Sequence, residues 1–143
     1  MLTKLILLVF AVASVGAACA HKNPEPRVER RGPALISTAD WTRLGERWVD
    51  GVRDRDVIPV GSNDGAFRRI MIVVEHSALQ MDDLVVNFSD GSRFSPPTRL
   101  VFAENSRSQV IDLPGSRRTI RSVEFRYGNL PGGGRAQAEL WAQ

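Results

Sequence analysis

The chain has 143 residues, with 19 Lys plus Arg against 16 Asp plus Glu and a single cysteine, Cys19. So near a balance of charge argues against a dedicated nucleic-acid or anionic-membrane binder. With its one cysteine close to the N-terminus, the remainder of the chain has no disulfide, thiolate nucleophile or cysteine metal site.

Met1 and Lys4 make a small positive start, and Leu5 to Ala13 is an unbroken apolar run. Small residues follow and end in Ala18-Cys19-Ala20, an A-x-A cleavage pattern. The run is too short to span a bilayer comfortably and no second one follows, so residues 1–20 read as a removable signal peptide. The reading predicts a mature chain that begins at His21 and works outside the cytoplasm, secreted or in a bacterial periplasm or cell envelope. Cys19 has an alternative reading. Gly16-Ala17-Ala18-Cys19 supplies the small residues at which bacterial lipoproteins are cut before a lipid-bearing cysteine, although Gly16 stands where leucine is usual. Membrane attachment is expected only in that case.

Residues 21–38 are polar and hold Pro24, Pro26 and Pro33, a composition that cannot build a core and reads as an extended tether. The domain is placed at 39–143. Its apolar runs are short and bounded by turn residues: Trp41 to Val49, Asp56 to Val60, Phe67 to Glu75, Leu84 to Phe88, Leu100 to Ala103, Gln109 to Leu113, Ile120 to Tyr127 and Ala136 to Trp141. About eight such strands predict an all-β, antiparallel β-sandwich of jelly-roll or immunoglobulin-like type. Val123, Phe125 and Tyr127 share one face of the seventh run, and Leu84, Val86 and Phe88 one face of the fourth. The third run, Ile70 to Val74, is apolar on both faces and suits a covered central strand. The one candidate for a helical turn is Ser77 to Asp82.

An internal echo joins two segments. Val57 to Val60, a glycine turn, Arg68-Arg69 and Val74-Glu75 are matched by Val110 to Leu113, Gly115, Arg117-Arg118 and Val123-Glu124. A strand-turn-strand unit used twice, one copy in each sheet, explains it; coincidence in an arginine-rich chain competes.

On these residues the chain resembles a family of small secreted bacterial proteins known only as a domain of unknown function. The resemblance rests on the signal peptide with Leu44-Gly45, Ile58-Pro59-Val60, Arg69-Ile70, Leu79-Gln80 leading to Val85 to Phe88, Val123 to Phe125, and Ala138-Glu139-Leu140. It implies a periplasmic β-sandwich and carries over no catalytic residue. Family members often have cysteine within the domain; a disulfide of that kind has no place here.

Candidate chemistry is sparse. His76 is the single histidine of the predicted domain. As the base of a triad it would need Ser77, Ser89 or Ser92 as nucleophile and Asp82 or Asp83 as orienter; a solvated turn residue is the simpler reading. Asp54-x-Asp56, Asn63-Asp64 and Asp82-Asp83 offer calcium-type oxygens, but turns select the same residues. Arg68, Arg69, Arg117 and Arg118 each follow a glycine turn and could cluster to grip a phosphate, carboxylate or acidic polymer. Local pairing with Glu75, Glu124 or Asp112 is the competing and simpler outcome. Trp41, Trp48, Trp141 and Tyr127 are candidates for stacking on sugar rings, with Trp41 and Trp141, near the domain's ends, the least committed to a core.

Together these readings predict an exported, non-catalytic binding or interaction protein without cofactor or metal. Its ligand would be a carbohydrate or an anionic envelope component, held by Arg68, Arg69, Arg117, Arg118, Trp41 and Trp141. The alternatives are an assembly accessory that binds a partner protein by a strand edge and, at lower weight, a hydrolase.

Overall fold

A computed structural model describes residues 27–29 and 40–143, apart from 52 and 98. Alternation of apolar and polar residues becomes eleven strands among the described residues. They are β1 (Arg27–Glu29), β2 (Thr42–Val49), β3 (Asp54–Pro59), β4 (Arg69–Glu75), β5 (Leu79–Phe88), β6 (Arg93–Phe94), β7 (Leu100–Phe102), β8 (Ser106–Arg107), β9 (Ile111–Asp112), β10 (Ile120–Asn129) and β11 (Ala136–Ala142). A 3-10 turn, Ser62–Asp64, is the one helical element described. The first sheet has the order β1-β7-β5-β10-β3, with β6 also on β5; the second runs β2-β11-β4-β8, with β9 also on β4. Pairing is antiparallel throughout except β1 with β7. The expected all-β sandwich is the observed one.

All eight apolar runs lie on strands. The three further strands, β1, β6 and β8, are two or three residues long and have no apolar period to reveal them. β1 falls inside the segment read as tether: Arg27–Glu29 pairs with Leu100–Phe102 and lengthens the sheet at its edge. The helical turn expected at Ser77 to Asp82 does not form. Leu79 and Met81 instead begin β5 and point into the core. Register on β10 slips between Arg126, opposite Asp83, and Tyr127, opposite Met81. This bulge shifts the apolar phase from Leu79 and Met81 to Leu84, Val86 and Phe88, which hides the strand's first half from a period-two reading.

Between the sheets, Val123, Phe125 and Tyr127 of β10 and Leu84, Val86 and Phe88 of β5 face Ile70, Ile72 and Val74 of β4 and Ala138, Leu140 and Ala142 of β11. Met71, on the other face of β4, is also buried at 1 % exposed and is the cross-strand neighbour of Trp141. β4 is thus covered on both faces.

The internal echo is real in position but differs in layout from one copy per sheet. The first copy leaves the first sheet as β3 and enters the second as β4; the second leaves the second sheet as β9 and enters the first as β10. Each copy pairs with the other, β3 with β10 and β9 with β4. At the crossing, Phe67 and Arg118 exchange two backbone hydrogen bonds of 2.9 Å. The four arginines are brought to this crossing.

Candidate functional site

Arg68 and Arg69 precede and open β4, where the strand meets the last residues of β11. Both backbone N–H groups donate to the carbonyl of Gln143, at 2.7 and 3.1 Å. Two residues opposite one is the geometry of a bulge, and it turns consecutive side chains, which normally alternate, toward the same side. Arg68, Arg69 and Arg117 accordingly line one hollow of about 410 Å³ with Gln143. A second hollow, about 380 Å³, shares Arg68 and Arg69 and is closed by Asp112, Leu113, Gly115 and Ser116.

The guanidiniums are engaged to different degrees. Arg117 Nε donates to the Ala66 carbonyl at 3.0 Å. Arg69 Nε lies 3.7 Å from an Asp112 carboxylate oxygen, a loose and exposed pair. The Arg68 side chain has no ion pair or hydrogen bond among the described residues and is open to solvent. Three arginine side chains therefore border the same space, one of them loosely paired with Asp112.

Arg118 is not part of this group, and the expectation of a fourfold cluster is corrected. It sits across the ladder from Phe67, which is buried, and directly opposite residues share a face. Its guanidinium accordingly lies 3.8 Å over the Phe88 ring, donates to Asp90 Oδ2 at 2.6 Å and also bonds Ser92 Oγ. Hydrogen bonds from the Ser92 hydroxyl and N–H, then the Arg118 guanidinium, hold the Asp90 carboxyl below its usual range. Of the local partners expected for the arginine pairs, Asp112 is found. Glu124 is taken instead by Arg55 and Arg93 and by Asn87 Nδ2 at 3.1 Å. Arg55's hydrogen bond, with Asn87 and Arg93 behind it, lowers the Glu124 pKa.

The aromatics sort differently from expectation. Trp41 and Trp141 are both half-buried, and the Trp141 indole N–H donates to Glu139 Oε2 at 2.9 Å. Trp48, set inside β2, is the exposed one at 42 %. It lies on the outer face of β2, opposite Gln137, a placement set by the long-range pairing with β11 rather than by any local pattern. Tyr127 is buried between the sheets and unsuited to stacking on a ligand. Its hydroxyl has no hydrogen-bond partner among the described residues, and burial, then the Asp56 charge, raises its pKa.

No triad is assembled at His76, whose ring lies against Trp48. Ser77 Oγ donates to the Gly133 carbonyl at 2.7 Å, and Asp82 accepts from Gln80 Nε2 and Arg99 Nε. Carboxylates named as calcium-type ligands serve local backbone: Asp64 accepts from Gly61 N–H, Asp54 from Arg55 N–H and Asp83 from Leu84 N–H. Among the described residues no group of three or more His, Cys, Asp or Glu is arranged to hold a metal ion. Cys19 lies outside the described residues.

Fold and groove define a two-sheet, all-β domain with a basic hollow where two related strand crossings meet. The chain belongs to the family described as Domain of unknown function (DUF2541), which matches residues 5–142. No curated protein matches it. A solved structure, reported under "Structural and functional characterization of Pseudomonas aeruginosa AlgX", is similar at a TM-score of 0.46 and 16 % identity over 72 % of this chain. The similarity spans only 27 % of that chain. Likeness at this level carries no statement about function.

Proposed function

We propose that the protein is an exported, non-catalytic binding protein of the bacterial periplasm or envelope, and that its groove at Arg68, Arg69 and Arg117 takes an acidic polysaccharide. The observation that carries this reading is the convergence of three arginine side chains on one hollow, with Arg68 unengaged among the described residues. Planar guanidiniums suit carboxylate, sulfate or phosphate groups spaced along a polymer, and an open groove suits a chain better than a small enclosed ligand. Export is supported by the apolar leader and its A-x-A end, and the family match extends into that leader. Addition of a partner strand at β3 is disfavoured by Arg47, whose Nη2 donates to the Val57 carbonyl at 2.7 Å and occupies part of that edge.

The test is titration of polygalacturonate against the native chain and an Arg68→Gln, Arg69→Gln, Arg117→Gln variant. Binding by the native chain should weaken steeply with salt, because exposed charges are screened within about 8–10 Å near physiological ionic strength. The triple variant should lose binding and keep its circular dichroism spectrum. Arg118→Gln should retain binding. Binding that survives in the triple variant, or that ignores salt, defeats the reading.

A further inference from the structure

The arginine groove is divided in two by the strand that carries it. Gln143 continues β11 and pairs with Arg69: the Gln143 N–H donates to the Arg69 carbonyl at 3.0 Å, and the Arg69 N–H donates back at 3.1 Å. On the other side of β4, Arg69 is the cross-strand neighbour of Asp112 in β9, and the Leu113 N–H donates to the Arg68 carbonyl at 2.8 Å. Arg68 and Arg69 therefore stand on the middle strand of three, with Gln143 to one side and Asp112 to the other. Neighbouring strands are about 4.8 Å apart, so these flanks are separated by about 10 Å. That is the reach of two linked sugar rings.

The two hollows follow this division, with the arginine pair common to both. Their walls differ in charge. The first adds Arg117 and Gln143 and has no acidic side chain. The second has Asp112 and Ser116 instead, over the buried Leu113. Gly115, at φ 87° in the left-handed region, turns the chain at its rim without adding a side chain. The Asp112 side chain is 85 % exposed and makes no hydrogen bond among the described residues, and its ion pair with Arg69 Nε is loose at 3.7 Å. An exposed pair at that distance contributes little to stability, so its carboxylate is available to a ligand.

We propose that Asp112 is a specificity residue of the groove: it steers an uncharged sugar into the second hollow, next to an acidic sugar in the first, and disfavours two acidic sugars in succession. The inference rests on the groove's taking an acidic polysaccharide. The acidic unit lies in the first hollow against Arg68, Arg69 and Arg117. In the second, an uncharged sugar donates its hydroxyls to the Asp112 carboxylate and accepts from the Ser116 hydroxyl. An acidic sugar there would compete with Asp112 for Arg69 and lie beside a like charge. Repulsion placed in this way lets a site reject a near relative of its ligand.

The probes are polygalacturonate and the same polymer with half of its carboxyls methyl-esterified, so that backbone and linkage are constant. Both are titrated near physiological ionic strength, where charges more than about 8 Å apart are largely screened. Asp112→Asn should raise affinity for the fully acidic polymer, relative to the half-esterified one, by about two- to fivefold, the range for one exposed charge contact. The ratio removes the gain that both polymers share when Arg69 is released. Glu104→Gln removes the same charge near the far end of β4, where Ser106 pairs with Val74, and should leave the ratio at its native value. Both replaced residues are exposed, and both variants should keep the native circular dichroism spectrum. A ratio unchanged in Asp112→Asn, or moved equally by Glu104→Gln, overturns the proposal and leaves the groove standing. If the native chain holds neither polymer, or the Arg68, Arg69, Arg117 triple variant holds both undiminished, the groove fails and this inference fails with it.

Discussion

Arg117 and Arg118 adjoin in sequence and face different surroundings, because one side chain follows the buried Phe67 across the ladder and the other opposes it. Composition and spacing could identify both as arginines near a turn; which face each would take depended on the pairing partner, a long-range fact. Tyr127 shows the same dependence. Its alternation with Val123 and Phe125 placed it correctly in the core, but its hydroxyl came with it and has no partner among the described residues. A buried hydroxyl left unbonded costs about 1–3 kcal/mol. Tyr127→Phe should therefore leave stability unchanged or raise it by up to about 1 kcal/mol, once the small loss of packing around the oxygen is allowed for. Phe125→Ala, one step along the same face and fully buried, should cost about 3–5 kcal/mol through the cavity it opens. Chemical denaturation of the two variants beside the native chain checks the contrast. Destabilisation by Tyr127→Phe of more than about 1 kcal/mol would mean that the hydroxyl is bonded in solution.

At the level of strands, the open side of the sandwich is closed by an approach that only glycine permits. Gly45 of β2 faces Ile58 of β3, and a Cβ at Gly45 would lie 2.6 Å from Ile58 Cγ2. The neighbouring Arg47 then reaches across to the Val57 carbonyl. Gly45→Ala should push the two edges apart and destabilise the domain by about 1–3 kcal/mol, the range for overpacking; Ile58→Ala added to it should recover part of the loss from the clash while bringing its own cavity cost. Thermal unfolding of the single and double variants, read as a cycle, tests it, and strict additivity would show that the contact is not the cause. Strand identity was legible where apolar alternation ran for four residues or more, as in β10, or where an unbroken β-branched apolar run did, as in β4. It was not legible in β6 and β8, which are paired by position in the fold rather than by pattern, nor in the first half of β5, where a bulge reversed the phase. For the candidate site, the arginine pairs and their shared offset were visible, and three of the four do converge. Trp48 was among the stacking candidates but ranked behind Trp41 and Trp141, because its exposure depends on which face of β2 is outward and the mixed burial of that strand gives no clean period.

Across the whole chain, the relation between leader and domain decides where the groove would work. The family match covers residues 5–142 and so includes the apolar run from Leu5 to Ala13. The leader's Ala18-Cys19-Ala20 end predicts cleavage after Ala20. β1 begins at Arg27 and is already paired to β7. From Cys19 to Arg27 the covalent chain reaches about 30 Å at most. A lipid on Cys19 would therefore hold the sandwich near the membrane surface, whereas cleavage after Ala20 would release it to diffuse. The two fates differ in mass and in location. Intact mass of the exported protein should correspond to a chain beginning at His21, in the soluble fraction, and Cys19→Ser should be processed in the same way. A diacylated species beginning at Cys19, or a Cys19→Ser variant that accumulates unprocessed, would move the arginine groove onto the membrane and confine its ligands to what lies within that reach.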